Sequence, residues 1–187
     1  MKHALSLLFA LPVALVLSSC GSVSGVDTTG AQATSRSGGY DRVIVKDFSH
    51  STTDYKVRSK VEMATKSLPD AIASELSKQG GFSKVSRSGK PDASTLVIGG
   101  NIDQYDDGNA VMRLMIGFAA GNSNLDATVN YLDGANGKSL GTVKADKNSW
   151  ALGGGLAAAQ TADSFIDPIA KKIASEAKTK FSKQATQ

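Results

Sequence analysis

The sequence predicts an α+β fold: a mixed sheet of about five strands with two main amphipathic helices packed on one face. Three observations predict it. Short β-branched or alternating runs recur at five places after residue 40. Two longer stretches, one early and one closing the chain, repeat apolar residues every three or four positions. The order is strand, helix, two strands, a meander and a final helix, which suits helices covering one face of a sheet.

The chain opens with a targeting pattern. Lys2 precedes Ala4 to Leu17 (ALSLLFALPVALVL), an apolar run broken only by Ser6 and Pro12, and the small residues Ser18 and Ser19 follow. This is the layout of a secretory signal over residues 1–19, and it is short for a membrane span. Cys20, the only cysteine, comes immediately after. The stretch Leu17-Ser18-Ser19-Cys20 resembles the bacterial lipobox, in which the thiol takes up diacylglycerol and the new amino terminus is acylated, palmitate being a usual chain. Two or more acyl chains hold a protein stably on a bilayer. Gly21 stands where the inner-membrane retention signal would place an aspartate, so the resemblance implies the outer membrane, facing the periplasm.

Residues 20–39 then form the lipidated tether. Gly21 to Gly39 is rich in Gly, Ser and Thr and has almost no large apolar residue. As a flexible chain it would reach on the order of 25 Å. Residues 40–187 are read as a single periplasmic α+β domain.

Within that domain Val43-Ile44-Val45-Lys46-Asp47-Phe48 predicts a buried first strand, and His50 to Asp54 is loop chemistry. From Tyr55 to Gln79 the residues Val57, Val61, Ala64, Leu68, Ile72 and Leu76 form a helical stripe that Gly80-Gly81 would end. Pro69 falls inside the stripe and leaves open a division into two pieces, with Ser67 capping the second. Phe82 to Arg87 alternates as a half-exposed strand. Thr95 to Tyr105 is the strongest strand, with Gly99-Gly100 as a bulge or a close backbone approach. Asp106 to Asn109 is a turn. Asn124 to Tyr131 and Ser139 to Ala145 alternate with period two around the hairpin loop Asp133 to Gly137. Ser149 to Gly155 is a glycine-rich link holding Trp150. Asp163 to Phe181 is the closing helix, with Asp167-Pro168 as a candidate start and Lys171, Lys172, Lys178 and Lys180 on or beside its polar side.

Composition bounds the function. The 187 residues carry 41% hydrophobic side chains, ordinary for a globular protein, and a formal charge of +4 to which Lys2 contributes one. The pI of 9.1 suits an anionic envelope surface, and an exported protein has little occasion to meet nucleic acid. With Cys20 lipidated, no thiol remains for a disulfide or a thiolate metal site.

Ala110 to Gly121 (AVMRLMIGFAAG) is apolar apart from Arg113 and spaces Gly117 and Gly121 by four. A dimerising membrane helix would use such spacing, but twelve residues do not span a bilayer. Two readings stay open. The segment is a strand or strand-turn packed in the core, or an exposed apolar arm that uses Arg113, Gly117, Phe118 and Gly121 to contact a partner. A buried Arg113 would need an acidic neighbour such as Asp103 or Asp106.

The domain resembles DUF4410, a family of bacterial lipoproteins of unknown function. The residues that carry the resemblance are Val43 to Phe48, Leu68-Pro69-Asp70-Ala71-Ile72 running to Gly81-Phe82, and Leu96-Val97-Ile98-Gly99-Gly100. They continue with Arg113 before Gly117 and Gly121, and with the Asp133-to-Gly137 turn before Ser139-Leu140. More distantly, Leu96 to Asp106 and Arg113 to Leu140 are similar to the periplasmic domain of the curli secretion channel lipoprotein. The layout is also similar to TolB N-terminal domains and to lipoprotein activators of penicillin-binding proteins. These likenesses imply binding and assembly at the outer membrane. The chain lacks two long alternating strand pairs that could build a barrel wall, which argues against a pore.

A search for chemistry yields no catalytic, cofactor or metal set. His50 is the only histidine after the signal and is expected to be a solvated loop residue. Asp103, Asp106, Asp107 and Asn109 do not have the spacing of a calcium loop. Gly153-Gly154-Gly155 is not followed by the Lys-Ser/Thr of a phosphate loop, and no G-x-S-x-G occurs. The expectation is therefore not an enzyme. The chain is read as an anchored interaction or assembly module that meets the membrane through Cys20 and binds an envelope protein. The alternative is a self-assembling structural subunit of an envelope or secretion complex.

Overall fold

The computed structural model describes residues 38–108, 123–148 and 161–183. Their elements are β1 (Arg42–Val45), β2 (Ser49–His50), α1 (Arg58–Gln79), β3 (Lys84–Ser86), β4 (Thr95–Asp106), β5 (Asn124–Asp133) and β6 (Ser139–Asn148). A short 3-10 turn, Ala162–Phe165, leads into α2 (Ile166–Phe181). The fold class expected from the sequence is the one observed.

The strand order is β3-β1-β4-β5-β6, with β2 also paired to β4. β1 runs parallel to β3 and β4, β2 runs parallel to β4, and β5 and β6 close the sheet antiparallel. The helix crossover from β1 to β3 makes the parallel pairing reachable, and the short connection 134–138 suits the antiparallel pairing of β5 with β6.

Alternation along β5 puts Leu125, Ala127, Val129 and Tyr131 on the buried face. They join Leu96, Ile98 and Ile102 of β4 and Val143 and Ala145 of β6 in one core. Val61, Ala64, Leu68, Ile72 and Leu76 of α1 and Ile169, Ile173, Ala177 and Phe181 of α2 cover that face. The Tyr131 and Phe181 rings pack with centroids 5.0 Å apart. Gly80, at φ +67°, ends α1, and its N–H returns to the Leu76 carbonyl. Lys178 Nζ donates to the Gln79 carbonyl at 2.6 Å and ties this helix end to α2.

Two local expectations are corrected. First, α1 is a single helix that runs through Pro69, and Ser67 caps nothing. Proline has no N–H to offer the carbonyl four residues back, which belongs to Thr65. That carbonyl accepts the Phe48 N–H instead, at 2.9 Å. The diversion has a second consequence. Lys46 still donates its N–H to the Ile98 carbonyl at 2.8 Å, residues 47 and 48 turn toward α1, and the chain returns to β4 as β2, a strand within what the sequence presents as a loop.

At Gly99-Gly100 the structure decides between the two expected readings. Gly100 is a close approach: a Cβ there would lie 2.5 Å from the Thr128 carbonyl oxygen and 2.7 Å from the Phe48 ring. The bulge lies further on, where the register passes from Ile102–Ala127 to Gln104–Asp126 and skips Asp103. It changes which residues face the core, from even-numbered Leu96, Ile98 and Ile102 to Tyr105.

Candidate functional site

The strand face away from the helices carries the apolar row Ile44, Val97 and Leu132 at one end and polar rows toward the other. Cross-strand pairing sets its side chains in rows: Asn101, Thr128 and Lys144 in one, Gln104, Asp126 and Asp146 in the next. Asp103, freed from the ladder by the bulge, accepts from Thr128 Oγ1 at 2.6 Å and from Asn101 Nδ2 at 2.7 Å. Ser49 Oγ donates to Asn101 Oδ1 at 2.9 Å, and Thr142 Oγ1 donates to Asn130 Oδ1 at 2.9 Å. Asp126 is half-buried, and its Oδ1 is enclosed without a hydrogen-bond partner. Burial first, then the charges of Asp146 and Asp103, raise its carboxyl above the usual carboxylate range.

A second cluster marks one end of the sheet. Lys60 of α1 pairs with Asp107, the Tyr105 hydroxyl donates to Asp163 Oδ1 at 2.9 Å, and Ser123 Oγ donates to the Asp107 carbonyl at 2.7 Å. Burial, reinforced by the Asp163 bond, pushes the Tyr105 phenol well above its normal range. These contacts pin both roots of residues 109–122 to α1 and to the turn before α2. The described chain begins at the other end of the sheet. There the Tyr40 N–H donates to the Phe181 carbonyl at 2.8 Å and the Tyr40 hydroxyl to Asp133 Oδ2 at 2.9 Å. Twelve residues of β4, at about 3.3 Å each, separate the two ends by roughly 35 Å.

Arg87 is a third convergence, and it involves two motifs noticed in the sequence. Its guanidinium donates to Asp70 of α1 at 2.6 Å, to Asp47 after β1 at 2.5 Å, and to the Val45 carbonyl. Asp47 and Asp70, far apart in the two motifs, are thus held by one cation.

Of the residues singled out in the sequence, Cys20, Arg113, Gly117, Phe118, Gly121, Asn109, Trp150 and Gly153 to Gly155 lie outside the described residues. The three aspartates of the calcium reading are committed separately. Asp103 bonds across the open face, Asp106 accepts the Gly108 N–H at 2.7 Å, and Asp107 pairs with Lys60. Among the described residues no three His, Cys, Asp or Glu side chains gather to hold a metal ion. His50 is not a solvated loop residue: it belongs to β2, opposite Ile102, with Nδ1 enclosed and unpartnered. Asp126, Lys144, Asp146 and Arg87 escaped the sequence reading. Their only signal was polar alternation, which says nothing of register.

An α+β sheet-and-helix domain with polar rows on its open face is the class these features define. The chain belongs to the DUF4410 family, a domain of unknown function whose model matches residues 28–153. Among curated proteins none matches it. Among solved structures it is similar to the PelC dodecamer from Paraburkholderia phytofirmans, with TM-score 0.51 and 16% identity over 80% of this chain and 94% of that one. Protein XCC0632 from Xanthomonas campestris, a DUF330 protein, gives TM-score 0.48 and 10% identity over 73% and 81%. Lipoprotein GNA1162 from Neisseria meningitidis gives 0.33 and 14% over 72% and 98%. At these identities the PelC likeness is one of fold.

Proposed function

We propose that this chain is a lipid-anchored interaction and assembly module of the bacterial cell envelope, on the outer membrane and facing the periplasm. The observation that carries the reading is the order of its parts: an apolar leader closing on Leu17-Ser18-Ser19-Cys20, a polar tether, then a DUF4410 domain. Lipid on Cys20 supplies the membrane contact, and the domain supplies protein contacts in place of catalysis. Among the described residues it presents a sheet edge and polar rows on one sheet face, the kinds of surface that pair with another protein by backbone and polar contacts.

Replacement of Cys20 tests the anchor. Cys20→Ala should move the protein from the membrane pellet to the soluble fraction and abolish fatty-acid labelling. Retention in the pellet with the label intact would overturn the anchor. For the module, cross-linking in whole envelopes followed by capture should recover a defined neighbour that the Cys20→Ala protein does not.

A second reading, self-assembly, is favoured by the PelC likeness, because the similar protein was solved as a dodecamer. On this reading the recovered neighbour is the chain itself.

A further inference from the structure

We propose that the outer edge of β6 pairs antiparallel with β6 of a second copy, about a two-fold axis at Ala145. This deepens the self-assembly reading and rests on it.

The two edges of the sheet are unequal. β3 offers three residues, whereas β6 offers ten, and among the described residues no strand lies beyond β6. An exposed edge of that length leaves a row of N–H and C=O groups that a further strand would satisfy.

Charge selects the occupant. On the open face Asp126 stands directly opposite Asp146, and like charges directly opposite weaken a strand pair. That row, Gln104–Asp126–Asp146, ends at the β6 edge on an exposed carboxylate. The neighbouring row ends at the edge on Lys144, also exposed. Antiparallel pairing with Ala145 opposite Ala145 places Lys144 against Asp146 of the second copy, and Asp146 against its Lys144. Both rows then end on a charge of opposite sign, and the Asp126–Asp146 pair gains a cation.

Other arrangements lose this match. Parallel in-register pairing puts Lys144 on Lys144 and Asp146 on Asp146. Antiparallel pairing about Val143 puts Lys144 against Thr142 and Asp146 against Leu140. The charge pattern therefore specifies direction and register together, and it opposes the alternatives. A two-fold axis perpendicular to the sheet keeps both polar faces on one side and the helices of both copies on the other, so the two sheets become one.

The test is a charge swap in the full-length lipidated protein, purified in mild detergent and sized by light scattering across a concentration series. Circular dichroism checks that each variant is folded. Lys144→Asp sets carboxylate against carboxylate, and Asp146→Lys sets ammonium against ammonium. Each should weaken association by roughly tenfold or more, since two symmetric pairs change sign. The double variant Lys144→Asp/Asp146→Lys restores opposite signs and should return to within about threefold of the native protein. If the native protein associates and the single variants associate equally well, or the double variant stays as weak as the singles, β6 pairing is wrong while self-assembly stands. If the native protein is monomeric throughout, both fall.

Discussion

Asp126 is a residue whose ionisation opposes the fold that holds it. Its folded-state carboxyl titrates above the unfolded value of about 3.9, chiefly through burial and then through Asp146 and Asp103. Folding therefore favours the protonated form. The penalty is full above the raised folded value and fades as pH falls through it toward about 4. Asp126→Asn removes the charge and keeps an oxygen for Asn124, which lies 3.4 Å from Asp126 Oδ2. Because the group is half exposed, the gain is modest: a rise in Tm of roughly 1–2 °C at pH 7. Thermal melts of both proteins from pH 7 down to 4 should show that advantage shrinking. An advantage that grows on acidification would contradict the assignment.

At the scale of elements, the central coupling runs through Pro69. The proline leaves the Thr65 carbonyl to Phe48, the Phe48 ring then lies over Gly100, and the backbone of β4 can approach because no side chain intervenes. A helix interruption on paper is a docking point in the fold. Pro69→Ala restores an intrahelical donor that competes for the same carbonyl. Hydrogen exchange should then show Phe48 losing about fivefold in protection, the equivalent of a hydrogen bond of about 1 kcal/mol, while the amides around residue 69 gain. Unchanged exchange at Phe48 would show that proline is not what frees the carbonyl. Arg87 couples the same elements by charge, joining the ends of β1 and β3 to α1.

At the scale of the molecule, the two ends of the described chain are fastened together. Phe181, 2% exposed, packs on Tyr131 and lends its carbonyl to Tyr40, and Lys183 Nζ reaches Asp41 Oδ2 at 2.6 Å. Tyr40 thus lies beside the last turn of α2, far from Asp107 and Ser123. Loss of this seam should be felt globally. Phe181→Ala should cost about 3–5 kcal/mol in urea unfolding, as expected when a fully buried ring is truncated. A cost below about 1 kcal/mol would mean that the sheet and α2 do not depend on each other in this way.

Legibility followed the range of the forces involved. The stripe from Val57 to Leu76, the alternation from Leu125 to Tyr131 and the glycine stop at Gly80 are written in neighbouring residues, because helix and strand periodicities are properties of the local backbone. The apolar run closing on Cys20 is local in the same way, as are the motifs that place the chain in DUF4410. The bulge at Asp103, the detour at Phe48 that splits β1 from β2, and the meeting of Asp47 and Asp70 on Arg87 depend on partners tens of residues away. So does the row that sets Asp126 against Asp146 on β6. The sequence by itself determined the two helices, the longer strands and which of their faces are apolar, though not β2. Only the tertiary structure decided the register between them, because a slip of one residue keeps every local preference intact while exchanging the buried and open faces.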